Sequence, residues 1–125
     1  MMGKSYLFGV GYDSFWLGKT MEVLWDKYWW RPTEAHNGYV EIFLELGITG
    51  LVLIAIVIVK TFKNIFKTIS INYNYGLLRI TYLVIAVLYN IMESSFKGTN
   101  IVYFMFLLVS IEYNATLYYD EKSKC

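Results

Sequence analysis

Three long stretches of this chain carry almost no polar position on any face. They are residues 42–59 (IFLELGITGLVLIAIVIV), 76–92 (GLLRITYLVIAVLYNIM) and 101–119 (IVYFMFLLVSIEYNATLYY). A helix in a water-soluble bundle repeats apolar residues at i, i+3, i+4 and i+7 and leaves a polar face between them. Here 51–59 has no polar position, and 101–109 has only the hydroxyl of Tyr103. At about 1.5 Å rise per residue, runs of roughly 17–25 residues span a hydrocarbon layer about 30 Å thick. The pattern predicts an all-α integral membrane protein with three transmembrane helices over about 39–59, 76–92 and 101–119, preceded by an outer segment over 1–38. A soluble core is the alternative that these all-round apolar runs disfavour.

Composition agrees with that pattern: 57% of the 125 residues are hydrophobic and 19% aromatic, with a single proline, above the apolar share of an ordinary soluble domain. The net charge is only +1. No basic stripe with interleaved aromatics points to a nucleic-acid partner. The lone cysteine, Cys125, excludes an internal disulfide and any C-x-x-C motif. Asn114-Ala115-Thr116 matches a glycosylation sequon but falls within the third apolar run, which marks the match as accidental.

Basic residues flanking apolar spans are retained on the cytoplasmic side. Lys60, Lys63 and Lys67 follow the first run, Arg79 stands at the mouth of the second, and Lys122 and Lys124 close the chain. Those segments are expected inside, with a cytoplasmic C-terminus. The connection ESSFKGTN has Lys97 as its only basic residue and is expected outside. By alternation the N-terminal segment is also outside, although it carries charges of both signs and opens without an apolar core long enough for a signal peptide. The expectation is therefore that the chain is the carboxy-terminal part of a larger polytopic protein.

The outer segment concentrates the candidate chemistry. Phe8-Gly9-Val10-Gly11-Tyr12 allows a tight turn or a close backbone approach, but lacks the third glycine of a dinucleotide fingerprint. In EVLWDKYWWRP, Trp25, Tyr28, Trp29 and Trp30 cluster beside Lys27 and Arg31. Interfacial anchoring is the ordinary use of such aromatics, and stacking on a sugar ring is the sharper one. Ala35-His36-Asn37-Gly38-Tyr39-Val40-Glu41 follows and leads directly into the first apolar run. Glu41 and Glu45 share a helical face, and an ionisable group one turn inside a membrane usually faces a bundle interior or a wet cavity. Gly47 and Gly50 suit close helix packing. Three suitable zinc ligands are not in evidence around His36 and Glu41.

Gly-Val-Gly with an aromatic, a spacer of a few tens of residues, then His-Asn-x-x-x-Glu running into Glu-Leu-Gly-Ile-x-Gly resembles the O-antigen ligase and polysaccharide polymerase family. The resemblance covers residues 7–53 closely, and the next two spans agree with that family's carboxy-terminal layout. It implies the C-terminal part of a polytopic glycosyltransferase of the GT-C type in the cytoplasmic (inner) membrane, needing no metal or other cofactor. Such enzymes move a glycan from an undecaprenyl-diphosphate carrier to a hydroxyl of lipid A-core or of another glycan. The partners implied are that carrier-linked glycan, its acceptor, membrane lipid and the upstream helices of a full-length protein.

His36 is the expected catalytic base, since histidine exchanges a proton near neutral pH. A lone histidine at an interface is ordinarily a polar helix-end residue; the adjacent Asn37 and the glycine pair favour the base. Arg31 is expected to hold the diphosphate, although snorkelling to head groups is an arginine's common use there. Asn37 and Tyr39 are expected to position the acceptor, Glu41 to orient His36, and Gly9 and Gly11 to complete the substrate site. The family's principal diphosphate-binding arginines lie in an upstream outer loop that this sequence does not contain. A small, non-enzymatic three-helix membrane scaffold or binding protein is the competing reading.

Overall fold

The computed structural model describes residues 5–12, 14–17, 19–31, 33–96 and 100–111. Among these residues every regular element is helical and no strand occurs: α1 (Ser5–Phe8), α2 (Lys19–Lys27), α3 (Gly38–Ile71), α4 (Tyr73–Met92) and α5 (Ile101–Ser110). The expected extension of α5 to residue 119 lies outside the described residues, as do Lys4, Lys97, Glu112, Lys122, Lys124 and Cys125.

Helix α3 is longer than its apolar run. It starts where Asn37 caps it, with Oδ1 accepting from the N–H groups of Tyr39 and Val40, and this is the standard way to satisfy the first free amides of a helix. It then continues past Val59 because Thr61, Ile65 and Thr68 recur at helical spacing and are buried. Its 34 residues correspond to about 50 Å. Asn72 ends α3 and begins α4 in one step: its N–H donates to the Thr68 carbonyl, and its Oδ1 accepts from Tyr75 N–H. This brings the start of α4 forward from 76 to 73.

The chain then reverses. Asn37 at the head of α3 bonds the Ile91 carbonyl near the tail of α4, while Thr68 at the tail of α3 bonds Arg79 near the head of α4. The two helices are antiparallel. Helix α5 packs on both, and its Tyr103 and Phe106 join Phe96 of the α4–α5 connection in an aromatic cluster with ring centroids 4.8–6.4 Å apart.

Polar and charged side chains share the interior with apolar ones. The buried apolar side chains are Ile65, Leu83, Ala86, Phe106 and Val109. Beside them, among the described residues, lie seven buried polar or charged ones: Glu41, Glu45, Thr61, Thr68, Arg79, Asn90 and Ser95. Val52, Leu53, Ile56 and Val59 on α3, and Leu78, Val84, Ile85 and Leu88 on α4, are turned outward. A contiguous apolar exterior over a polar-rich interior suits a non-aqueous surrounding. Helices α3 and α4 are each long and apolar enough to cross a membrane.

Arg79 does not stand at a helix mouth facing water. It is 1% exposed, with Nη1 donating to Thr68 Oγ1 at 2.7 Å and Nη2 donating to the carbonyls of Val109 at 2.7 Å and Ile111 at 3.0 Å. The guanidinium thus satisfies carbonyls at the end of α5 and pins all three long elements together. Lysine, with one compact ammonium, has no such planar fork.

Candidate functional site

The N-terminal part of the chain is joined to α3 at a break in that helix. Gly47 has φ 68 and ψ −158, a conformation essentially confined to glycine. The break takes the carbonyls around it out of the helical ladder, and each finds another donor. Val10 N–H donates to Leu44 O at 3.0 Å, Gly11 N–H to Glu45 O at 2.9 Å, and Thr49 Oγ1 to Leu46 O at 2.7 Å. Gly9, at φ 66, lies so close that a Cβ there would overlap the Glu45 carbonyl, and a Cβ on Gly47 would overlap Leu7. The two glycines therefore allow two backbones to touch. Gly47, expected to allow close helix packing, lets the end of α1 and the segment after it approach α3 at its break. The parts expected on either side of residue 38 are thereby stitched together.

At the head of α3, His36 has φ 49 and Arg31 φ 44, both in the left-handed region that few side chains occupy. His36 is exposed, and its Nδ1 lies 3.5 Å from Glu34 Oε1. Arg31 is exposed too, its guanidinium 5.7 Å from the ring centroid of Trp25. No bond joins Arg31 to His36. Trp29, at 90% exposed, and Trp30 stand edge to face with centroids 6.2 Å apart.

The other expected site residues are engaged within the fold. Asn37 spends Oδ1 on the helix cap and its Nδ2 donates to Ile91 O at 2.8 Å. The Tyr39 hydroxyl donates to Val87 O at 3.0 Å. Glu41 is 3% exposed; its Oε1 accepts from Trp16 Nε1–H at 2.6 Å and its Oε2 from Ala35 N–H at 3.1 Å. Its carboxylate is directed to Trp16 and to the backbone just before His36, and the group beside the imidazole is Glu34. Glu41 thus holds the loop that carries His36 rather than the ring itself.

Trp16, Glu34, Asn90 and Ser94 went unremarked as site residues in the sequence. Glu34 stands two positions before His36, a local signal. Trp16 and Glu41 are 25 residues apart, and no local pattern links them. Asn90 is fully buried, its Oδ1 accepting from Ser95 Oγ and Phe96 N–H. Among the described residues, Ser94 Oγ is buried without a hydrogen-bond partner. Ser94 lines a niche of about 10 Å³ with Gly38, Glu41, Ile42, Glu45 and Phe96. Among the described residues, no group of three His, Cys, Asp or Glu side chains could hold a metal ion. Comparison of the chain with family models, with curated proteins and with solved structures gives no match.

Proposed function

We propose that this chain is the carboxy-terminal portion of an undecaprenyl-diphosphate-dependent O-antigen ligase or polysaccharide polymerase. On this reading it lies in the cytoplasmic membrane with His36 on the outer side. The observation that supports it best is the junction between the two halves of the motif. Gly9-Val10-Gly11 and Glu45-Leu46-Gly47, far apart in sequence, are matched by backbone hydrogen bonds and by two glycines, Gly9 and Gly47, at each of which a Cβ would overlap the backbone of the facing segment. A motif whose halves form one structural unit has a reason to occur as a whole.

The chemistry follows from the exposed imidazole. His36 Nε2 accepts the acceptor's hydroxyl proton while that oxygen bonds the anomeric carbon; the bond from that carbon to the diphosphate oxygen breaks, and its electron pair leaves on the phosphate. Glu34, beside Nδ1, orients the ring. Arg31 contributes positive charge toward the diphosphate, and the upstream helices supply the remaining cations. Trp29 and Trp30 offer open ring faces for sugar stacking.

The test is glycan transfer in a strain lacking its own ligase or polymerase, with this chain co-expressed with the upstream helices of a related full-length protein. His36→Ala is expected to abolish transfer at near-normal membrane abundance, and undiminished transfer removes the base. A non-enzymatic membrane scaffold is the second reading, favoured by the engagement of Asn37, Tyr39 and Glu41 inside the fold. Absence of transfer in every co-expression context, with normal abundance, selects it.

A further inference from the structure

Lys60, Lys63 and Lys67 follow directly on the apolar stretch of α3 that ends at Val59. With 3.6 residues per turn they fall within an arc of about 60° on one face of the helix. Together with Asn64, Thr61 and Ser110 they line a cleft of about 490 Å³ between the second half of α3 and the end of α5, with Val57 at its apolar edge. The cleft lies at the opposite end of α3 from His36. Among the described residues no carboxylate lines it, and none of the three ammonium groups has an ion-pair partner. All three lysines are exposed, while Thr61 is buried in the wall.

A fourth cation stands behind that wall. Arg79 is bonded to Thr68 and to the Val109 carbonyl, the chain neighbours of Lys67 and Ser110. By covering carbonyls at the end of α5 it also offsets the partial negative charge of a helix C-terminus, which would otherwise repel an anion. Below the lysines, Val52, Leu53 and Ile56 present an outward apolar flank. A cationic cleft over an apolar flank matches an amphiphile with a phosphate head. Lysines that merely snorkel to an interface need no cleft between helices.

We propose that this cleft binds the head group of an anionic phospholipid, its phosphodiester held by Lys60, Lys63 and Lys67, its head-group hydroxyls by Asn64, and its acyl chains along the α3 flank. Basic pockets between helices recognise phospholipid heads by this combination of charge and shape.

The test is native mass spectrometry of the full chain in detergent, offered phosphatidylglycerol and phosphatidylcholine with identical acyl chains. Preferential retention of phosphatidylglycerol is expected. The triple change Lys60→Gln, Lys63→Gln, Lys67→Gln should lower that retention by at least about 10-fold, whereas Lys→Arg at the same positions should keep it. Asn64→Trp leaves the charges in place and fills the cleft; it should lower retention too, with helical content unchanged by circular dichroism. Full retention by Asn64→Trp would mean diffuse attraction and overturn the cleft. Equal retention of both lipids overturns the lipid assignment. So does displacement of phosphatidylglycerol by inorganic phosphate beyond that caused by chloride at equal ionic strength, because the site would then take free phosphate.

Discussion

His36 sits on a backbone of φ 49, where most side chains cost roughly 1–2 kcal/mol and Asn, Asp and His are tolerated best. This separates its conformational role from its chemistry. His36→Asn should leave thermal stability nearly unchanged and abolish glycan transfer, whereas His36→Val should lower stability by roughly 1–2 kcal/mol as well. Thermal unfolding in detergent beside the transfer assay distinguishes the two. Activity in His36→Asn would assign the histidine to the backbone bend alone. The adjacent Asn37 belongs to the fold: Asn37→Ala should cost about 1 kcal/mol from the helix cap, plus the tie to Ile91. Asn37→Asp should restore the cap and leave the tie broken. A transfer defect in Asn37→Asp at undiminished membrane abundance, larger than its loss of stability explains, would point to contact with the acceptor.

At the scale of elements, the break at Gly47 connects the motif to the helices. Gly47→Ala places a Cβ against Leu7 and forces a positive φ, a cost of order 1–3 kcal/mol. The expected result is release of the 7–11 segment, read as faster proteolysis near Tyr12, with α3 and α4 still helical. Proteolysis unchanged from the wild type would mean that the segment is held by other contacts. Arg79 answers to the same logic at the other end. Arg79→Met leaves the carbonyls of Val109 and Ile111 without their donor and should destabilise by on the order of 3 kcal/mol; Arg79→Lys should recover only part. Full stability in Arg79→Lys would show that the charge, and not the fork, is what α5 requires.

Helices α3 and α4 were legible in the sequence because long apolar runs are a local signal, whereas the cap at Asn37 went unread, that residue being assigned to the acceptor. The continuation of α3 to Ile71 was less so, since its second half is amphipathic and only burial of Thr61, Ile65 and Thr68 reveals which face matters. Gly9 and Gly11 were legible as sites of close backbone approach, but their partner at Gly47 was not. The pairing of Trp16 with Glu41 spans 25 residues and leaves no periodic trace. His36 was conspicuous as the only imidazole, while its neighbour Glu34 was hidden among the charges of the outer segment.

For the whole molecule, an apolar exterior around buried Glu41, Glu45, Arg79 and Asn90 fits a chain surrounded by lipid, and the proposed orientation puts His36 and the α4–α5 connection on one side. Cysteines at exposed Ser14 and Glu93 should react with a membrane-impermeant thiol reagent in intact cells, and native Cys125 should not. Buried Ser95 is unsuitable as a reporter. Labelling of Cys125 from outside would reverse the topology and remove His36 from the outer face. The most direct measurement is transfer of glycan from an undecaprenyl-diphosphate donor to an acceptor hydroxyl in membranes holding this chain and its complementary upstream helices, comparing wild type with His36→Asn at equal abundance. Transfer by the wild type and its loss in the variant is the result predicted; equal transfer by both, or none by either, would contradict the assignment.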